Sequence, residues 1–519
     1  MIQDNTGSRN LELNYIILLI LAIIYVPFYI WVRRSPNAKK RGLVKYGPTV
    51  MIKTTWGTKL MDRWSKYKRF WKFFGTFSLI VSFGLMAFIV LILIVGILNF
   101  KTTLSAPGLG VEAALAIPGI NPFLPFWYAI LGLVVAMVIH ELAHGFQTRA
   151  NNMRVDSTGL LYGVVPLGAF VEPNEEDIKK SSRRAKLDLY SAGITMNFVG
   201  AVVAFFIFAV IMLGGISTAY GDDTAVLKIS KDYPEVTGGI PSGAIILLID
   251  GEEYSYTNNH EVTHTWSPGD KVTVTYLTES GEKTTEIFWG LLIEGVTENT
   301  PASGNLSAGT FILTINSTPI YGYSEFLSYL KTTSPGDTAV ITRMGRAGEP
   351  LDPVTITLGD NGGIGFVGVK TSTSGMSFTT PNIMLEVGRN PIYGADGVFG
   401  SVRSMMSYIG GPLSGFSPML ASFHWMYDVP LGGAFWILVS VFYWIFWLNI
   451  MLGVANAIPA FPFDGGFIFQ GGMSAFLQRL GMKDEQKREE RVARITGVLS
   501  MAMVFMLILV IFAAVIQMK

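Results

Sequence analysis

Two histidines and a glutamate near residue 140 have the spacing of a metal-binding motif. His140, Glu141 and His144 read HELAH within the apolar stretch AMVIHELAHGFQ. Because helical residues four apart share a face, both imidazoles can bind one metal ion, and Glu141 can reach a water molecule on that ion. Charged residues in a membrane helix are costly, so this motif is expected to be functional. Histidines packed in an apolar core are the alternative.

A catalytic zinc ion needs a third protein ligand and an open position for water. The chain has no cysteine, which excludes disulfides and thiolate catalysis and leaves His, Asp and Glu as ligands. Asp464 is the candidate, because it lies in NAIPAFPFDGG, from Asn456 to Gly466. Two prolines and two glycines there predict a non-helical stretch at the end of an apolar run. An ordinary turn after a helix is the alternative interpretation.

The same five-residue pattern occurs a second time in the chain. His260, Glu261 and His264 read HEVTH in a segment without long apolar runs. The surrounding segment offers Asp and Glu but no similarly framed third ligand. We therefore predict that HEVTH is a solvated helix face rather than a catalytic site.

Apolar runs long enough to cross a bilayer surround the first motif. They comprise residues 13–32, 73–98, 126–144, 194–213, 431–455 and about 495–516. Half of the 519 residues are hydrophobic and only 15% are charged, which argues against a soluble multi-domain enzyme. The first run follows acidic and polar residues and is longer than the core of a signal peptide, so it predicts a retained helix.

Basic residues predict the orientation of these runs. Thirteen Lys or Arg residues lie between Arg33 and Lys72, whereas the loop after the second run has only Lys101. The positive-inside rule places the basic loop in the cytoplasm. A nucleic-acid patch is the weaker alternative, because the loop lies between two spans. The N-terminus and residues 214–430 are then outside, and KDEQKREERVAR is inside.

The predicted orientation also places the polar residues at one depth. At about 1.5 Å per residue from Phe126, His140 lies ~21 Å into a core of about 30 Å, in its cytoplasmic half. Asn456 reaches a similar depth from outside. Asn197, in SAGITMNFVGA, lies about two helical turns in from the inside. Three polar features on three helices are thus expected to converge.

The long outer segment repeats itself. LLIDGEEYSYTNN around Ile249 aligns with LTINSTPIYGYSE around Ile315, and two SPGD turns begin at Ser267 and Ser334, 67 residues apart. Each copy resembles a PDZ domain, so the resemblance implies a tandem pair that binds extended peptides at a sheet edge. A rigid cap that excludes bulky substrates is an equal alternative. Residues 390–430 are predicted to be interfacial.

HELAH, AGITMNF and NAIPAFPFDGG, in this order, resemble the motifs of the site-2 protease family of intramembrane metalloproteases. The resemblance implies one zinc ion with His140, His144 and Asp464 as ligands. It implies further that Glu141 is the general base.

The resemblance also concerns two asparagines, and the sequence differs from the family pattern at one position. Family membership implies that Asn456 and Asn197 assist the substrate or the oxyanion. Phe463 stands where many members carry Leu or Met, and its ring is not expected to affect ligation. The doubled outer module is a feature of only some members.

Residues 159–173, GLLYGVVPLGAFVEP, resemble the membrane-associated β-hairpin of the family. An edge of this hairpin could pair with an unwound substrate. The predicted substrate-binding residues are Val164, Val165, Pro166, Leu167 and Gly168. A plain connecting hairpin is the alternative.

The predicted fold is a multi-pass α-helical membrane protein of about six transmembrane helices with an extracytoplasmic α+β tandem PDZ-like insert. The predicted domains are residues 1–125 (helices 1–2 with the basic loop), 126–215 (first part of the catalytic core), 216–300 and 301–375 (PDZ-like), 376–430 (interfacial linker) and 431–519 (second part of the core).

The predicted function is zinc-dependent hydrolysis of peptide bonds within or near transmembrane segments, at the cell membrane, with the active site toward the cytoplasm. Expected partners are membrane-spanning protein substrates already cleaved by another protease, peptides at the PDZ-like domains and the lipid bilayer. No nucleic-acid partner is expected. A non-catalytic PDZ-type receptor and a metal transporter are the competing hypotheses.

Overall fold

Six helices among the described residues of the computed structural model are long and apolar enough to cross a membrane. The structure describes residues 5–98, 124–255, 265–414 and 419–516. The candidate spans are Ile16–Arg34, Lys68–Leu98, Phe126–Ala150, Arg183–Gly215, Gly433–Asn456 and Glu485–Leu509. Each of the six predicted apolar runs coincides with or overlaps one of them. The chain is therefore a multi-pass membrane protein with a β-rich insert.

Seven helices are present in the described residues of the first part of the membrane unit. They are α1 (Asn5–Arg34), α2 (Pro36–Lys40), α3 (Trp56–Trp64), α4 (Lys68–Leu98), α5 (Phe126–Ala150), α6 (Glu175–Lys180) and α7 (Arg183–Phe205). Ser182 caps α7 by accepting a hydrogen bond from the N–H of Ala185, as expected of a serine before a helix. A π-helical segment, Phe206–Met212, continues α7 within the candidate span Arg183–Gly215.

Helices of the C-terminal part complete the membrane unit. They are α10 (Gly397–Gly410), α11 (Gly433–Asn456), α12 (Asp464–Arg479) and α13 (Glu485–Ile516). By contacts, residues 1–214, 395–417 and 432–519 form one compact unit. Its centre is formed by α5, α7 and α11, which pack extensively on one another. These three helices carry HELAH, AGITMNF and the start of NAIPAFPFDGG.

A four-stranded antiparallel sheet also belongs to the membrane unit. Its strands, in the order β1-β2-β3-β4, are Leu43–Tyr46, Thr49–Thr54, Val155–Tyr162 and Pro166–Pro173. The last two strands are the predicted hairpin, and β4 is an edge strand that packs along α5. The hydroxyl of Tyr25 in α1 donates to the carbonyl of Pro48 at 2.7 Å. The sheet therefore lies beside candidate spanning helices.

Residues 215–394 and 418–431 form the second compact unit. Its strands and helices are β5 (Ser217–Thr218), β6 (Thr224–Ile229), β7 (Ile245–Ile249), β8 (Glu252–Glu253), β9 (Lys271–Thr278), β10 (Gly281–Phe288), β11 (Leu291–Val296), β12 (Thr310–Ile315), β13 (Thr318–Pro319), α8 (Tyr323–Lys331), β14 (Thr338–Gly345), β15 (Pro350–Thr357), β16 (Gly359–Asp360), β17 (Gly365–Phe366), β18 (Val369–Thr373), β19 (Met376–Thr379), α9 (Pro381–Arg389) and β20 (Tyr427–Asp428). The main sheet has the order β10-β9-β7-β6-β19-β18-β11-β12-β14-β15.

The two aligned SPGD turns of the predicted repeat have the same hydrogen bond. The Ser267 N–H donates to Asp270 Oδ2 at 2.8 Å, and the Ser334 N–H donates to Asp337 Oδ2 at 2.7 Å. Each copy has its own apolar core: one includes Trp289, the other Phe326.

The two copies are nevertheless joined into one sheet. Strand β18 pairs with β11, and β19, only two residues after β18, pairs with β6 of the first copy. Leu291 and Ile293 of β11 pack in the core of the second copy, although they precede the boundary predicted at residue 300. The HEVTH motif, residues 260–264, lies outside the described residues, so its helical character stays a prediction.

Candidate metal centre

The two histidines of HELAH face the interior of the membrane unit from successive turns of α5. Both side chains are buried. Their rings meet edge to face, with His140 Nε2 and His144 Nε2 3.0 Å apart. The i, i+4 spacing thus directs two imidazole nitrogens at one point, as the sequence predicted.

Asp464 is brought to the same point by a break between two helices. Helix α11 ends at Asn456, the proline-containing stretch that follows is not helical, and α12 begins at Asp464. Asp464 Oδ2 lies 3.0 Å from His140 Nε2 and 3.2 Å from His144 Nε2. A Cβ on Gly465 would lie 2.4 Å from the carbonyl oxygen of Ile458, so glycine lets α12 start against the preceding turn.

Hydrogen bonds on the far side of each ring set the tautomers. His140 Nδ1 lies 2.6 Å from Asn197 Oδ1, and His144 Nδ1 lies 2.8 Å from the carbonyl oxygen of Leu189. A carbonyl oxygen can only accept, so each Nδ1 carries the proton and donates it. Both Nε2 atoms then face Asp464, where their lone pairs are available to a metal ion.

The three facing atoms fit a metal ion. His140, His144 and Asp464 each offer one ligand atom, all within 4.8 Å of one another. Asp464 Oδ2 is buried, and no described residue donates a hydrogen bond to it. Three acceptors in mutual contact repel one another unless a cation lies between them. Ligands about 2.0–2.1 Å from a tetrahedral zinc ion are about 3.3 Å apart, close to the observed separations.

A glycine that the sequence interpretation did not single out makes room for the rings. Gly193 lies on α7, and a Cβ there would lie 2.6 Å from His140 Cε1 and 2.6 Å from His144 Nε2. Any other residue would push against both imidazoles. In the sequence, the requirement for glycine is indicated only by the position of Gly193, one helical turn before Asn197.

Gly193→Ala is expected to lower zinc affinity by about 10-fold to 100-fold, the range seen when the support of metal ligands is disturbed. The rings cannot retreat freely, because their Nδ1 atoms are bound to Asn197 and Leu189 on the same helix. Zinc bound per chain against a buffered chelator measures the effect. Gly84→Ala in α4 is the matched control, since a Cβ there meets nothing within 4 Å. Equal zinc retention by both variants would contradict this account.

Glu141 is held beside the metal ligands by the edge strand. Its Oε2 accepts a hydrogen bond from the backbone N–H of Val171 on β4, at 2.9 Å. Successive N–H groups of a strand alternate in direction, so this one points away from β3 and toward α5. The carboxylate is thereby oriented by a backbone group 30 residues away in sequence.

The side chain of Asn197 hydrogen-bonds to His140. It is fully buried, its Oδ1 accepts from His140, and its Nδ2 lies 3.2 Å from both the Ala136 carbonyl and Asn449 Oδ1. The structure thus gives Asn197 a contact that positions His140, and its assistance to substrate or oxyanion stays a prediction. Asn449 was missed, although a polar residue in the run YWIFWLN is a signal.

Asn456 donates to the carbonyl of Leu452 within its own helix, at 3.1 Å. This contact does not bring its amide into the cluster of three ligands. Its assistance to the oxyanion stays a prediction.

The predicted substrate-binding residues 164–168 form the tip of the hairpin and the start of β4. Leu167 is exposed, and Gly168 is buried where a Cβ would lie 3.2 Å from the sulfur of Met137. Met137 is one turn before Glu141 on α5. The structure thus brings the tip beside the catalytic helix, while binding of substrate there stays a prediction.

Comparison with known sequences agrees with this geometry. The family model of Peptidase family M50 matches residues 128–507, which include all three proposed metal ligands and Glu141. The chain therefore belongs to peptidase family M50, the site-2 protease family. Membership implies an intramembrane metalloprotease, and proteases of this family depend on zinc.

A relative is also found in an archaeon. The chain is 29% identical, over 192 residues, to the uncharacterized protein MJ0971 of Methanocaldococcus jannaschii. The match covers 37% of this chain and 50% of that protein. The chain thus spans about half the length of the curated relative it matches.

Proposed function

We propose that the protein is an intramembrane zinc metalloprotease that hydrolyses peptide bonds within or near the transmembrane segments of membrane-tethered proteins. One observation carries the proposal: His140 and His144 on the candidate span α5, and Asp464 at the break between α11 and α12, offer three ligand atoms within 4.8 Å of one another. Two histidines and one carboxylate are the ligand set of several catalytic zinc sites. Family membership supports the same chemistry.

The protein residues divide the work of hydrolysis. Zinc, when bound, supplies the Lewis acidity that activates a water molecule and polarises the scissile carbonyl. Glu141 accepts a proton from the attacking water and returns it to the leaving amine. The N–H of Val171 keeps this carboxylate aimed at the site. Asn197 fixes the tautomer of His140, and Asn456 is proposed to support the oxyanion.

A substrate segment must be extended before its backbone can reach the metal. We assign this task to residues 164–168 and the free edge of β4, which can add a strand of substrate. Support comes from the register of the hairpin: β4 is an edge strand, and its Val171 already reaches the general base.

An apolar groove suits the transmembrane part of such a substrate. A groove of about 660 Å³ between α4, α12 and α13 is lined almost entirely by apolar side chains such as Phe83, Phe469 and Leu499. Pro459 also lines it and belongs to the same irregular stretch that precedes Asp464. Pro459 precedes Asp464 by five residues, so the lining of the groove includes part of the stretch that carries the third ligand. Regulators already trimmed by another protease are the proposed substrates.

The outer repeats are proposed to be PDZ-like and to capture extended peptides. The second copy has a cavity of about 750 Å³ between α8 and the strands β17 and β18. Such a groove between a helix and a strand suits an added peptide strand. A rigid cap that excludes bulky substrates is the second candidate, because the two copies share one sheet.

The active site is proposed to open toward the cytoplasm. The basic loop of residues 33–72 is the basis for this orientation. Asp62 within that loop forms a salt bridge with Arg149, at the end of α5 that carries HELAH, with Asp62 Oδ1 3.0 Å from Arg149 Nε. This salt bridge supports the proposal that the metal centre lies toward the side of the basic loop.

Reconstitution tests the proposal. Purified protein in vesicles is expected to cleave a single-span substrate inside its apolar segment, as mapped by mass spectrometry of the products. A chelator should stop cleavage and added zinc should restore it, because three ligands without the ion leave no activated water. No cleavage by zinc-loaded protein would favour the receptor. Zinc movement into the vesicles without cleavage would favour the transporter.

A further inference from the structure

Helix α3 is fixed to the end of the catalytic helix by one of its faces. Met61 is fully buried, and a Cβ on Gly145 of α5 would lie 2.5 Å from its sulfur. Asp62 forms a salt bridge with Arg149, with its Oδ1 3.0 Å from the Arg149 Nε. Gly145 directly follows the metal ligand His144. The position of α3 is therefore tied to the last turns of the helix that carries the metal centre.

An adjacent face of α3 exposes a stripe of large apolar side chains. Trp56, Leu60 and Trp64, spaced four apart, are 85%, 41% and 52% exposed. Tyr67 continues the stripe beyond the end of the helix and is also exposed. Tryptophan and tyrosine are enriched where a protein meets the headgroup region of a membrane. Their rings are apolar but carry one polar N–H or O–H.

Exposed basic side chains border this stripe. Lys59 follows Trp56 by three residues and Arg63 follows Leu60 by three, so each basic residue is next to the stripe on the helix surface. Lys66 and Arg69 follow in the chain. The acidic residue of α3, Asp62, is already paired with Arg149. A positively charged surface therefore lies beside the aromatic stripe. This charge is complementary to a membrane leaflet of anionic lipid.

The chain continues directly from α3 into a spanning helix. Three residues separate Trp64 from Lys68, where the candidate span α4 begins. Helix α3 consequently lies where α4 leaves the hydrocarbon layer. This continuity, together with the charge, favours a lipid surface over a protein partner as the occupant of the stripe.

We propose that α3, with residues 65–69, is a docking surface for anionic lipid headgroups. Lipid docking holds α3 against Gly145 and Arg149 and thereby steadies the end of α5 next to His144. If the protein is the proposed protease, its cleavage rate should depend on lipid charge, and this part of the inference rests on the proposed function. Lipid docking itself does not rest on it.

The absence of cysteine from the chain makes a direct test possible. Leu60→Cys provides a single site for an environment-sensitive fluorophore in the full-length protein. The protein is reconstituted in phosphatidylcholine vesicles with 0 to about 40% phosphatidylglycerol. We expect the emission to shift to the blue as phosphatidylglycerol increases, and brominated lipid to quench it. Higher ionic strength should reverse the shift, because salt screens the attraction.

Removal of three charges separates docking from general stability. Each basic side chain near an anionic surface contributes about a fivefold change in partitioning, so Lys59→Gln, Arg63→Gln and Lys66→Gln together should weaken docking by on the order of 100-fold. Lys228→Gln, Lys231→Gln and Lys283→Gln, three exposed sites of the β-rich unit, are the matched control. Bound zinc should equal that of wild type in both triple variants.

The fluorescence readout decides the proposal even if no cleavage is found. The proposal would be overturned if the emission wavelength did not change with phosphatidylglycerol. It would also be overturned if the α3 triple variant showed the same emission shift as wild type. Free glycerol phosphate should not reproduce the shift, and if it did, a soluble anion site would replace the lipid surface. Cleavage, where present, should rise with phosphatidylglycerol in wild type and the control but not in the α3 variant.

Discussion

Glu141→Gln is expected to abolish cleavage while leaving zinc bound. Glutamine keeps the size of the side chain, and its carbonyl can still accept the hydrogen bond from the Val171 N–H. It cannot take a proton from water, however. Loss of general acid–base catalysis costs about 10²-fold to 10⁴-fold in rate, so the variant should retain less than about 1% of the activity. Product formation in vesicles and zinc per chain are the two measurements.

Glu172→Gln on the same strand is the matched control. Glu172 is held by Lys53 and Ser157, and the hydrogen bond from Lys53 lowers its pKa. It is therefore another ionised glutamate beside the site, with no predicted catalytic role, and its variant should cleave nearly as fast as wild type. If Glu141→Gln retained more than about a tenth of the activity with zinc bound, the general-base assignment would be wrong.

Asp464→Ala is expected to lose both zinc and cleavage. The change removes one of three protein ligands, so zinc affinity should fall by more than the 10-fold to 100-fold typical of a supporting residue. The fold should survive, because an unpaired buried carboxylate is costly and its removal can stabilise the metal-free protein. The unfolding temperature measured in chelator should therefore be no lower than that of wild type.

Asp484→Ala is the control for this second variant. Asp484 is an exposed carboxylate before α13, where it accepts a hydrogen bond from the Lys487 N–H. Its loss should leave zinc and cleavage unchanged. Full zinc occupancy in Asp464→Ala would show that the third ligand lies elsewhere.

Much of this arrangement was predictable from local patterns. Run length is enough to identify the spans, because crossing a bilayer requires about 20 apolar residues. The HELAH spacing sets one face of one helix, and the prolines before Asp464 predict the break that the structure contains. These predictions needed no knowledge of how distant segments meet.

The supporting contacts were not predictable, because they join distant parts of the chain. Val171 reaches Glu141 across 30 residues, Asn197 reaches His140 across 57, and Asn449 reaches Asn197 across 252. One of these contacts uses a backbone N–H, which no residue type reveals. Gly193 acts through the absence of a side chain, and its requirement is visible only when both rings are in place.

The sheet shared by the two outer copies escaped prediction for a related reason. The alignment of the repeats identifies equivalent strands within each copy but not pairing between copies. Strand β19 lies after the second copy and pairs with β6 of the first copy. Such pairing depends on which strands of the two copies become neighbours in the folded protein, and a sequence repeat does not reveal this.

Zinc stoichiometry in three proteins tests the central claim most directly, because the chain contains two HExxH motifs. Wild type, His140→Ala and His260→Ala are purified alike, and zinc per chain is measured after dialysis against a weak chelator. The account predicts about one zinc ion in wild type and in His260→Ala, and almost none in His140→Ala. Zinc retained by His140→Ala but lost from His260→Ala would contradict it.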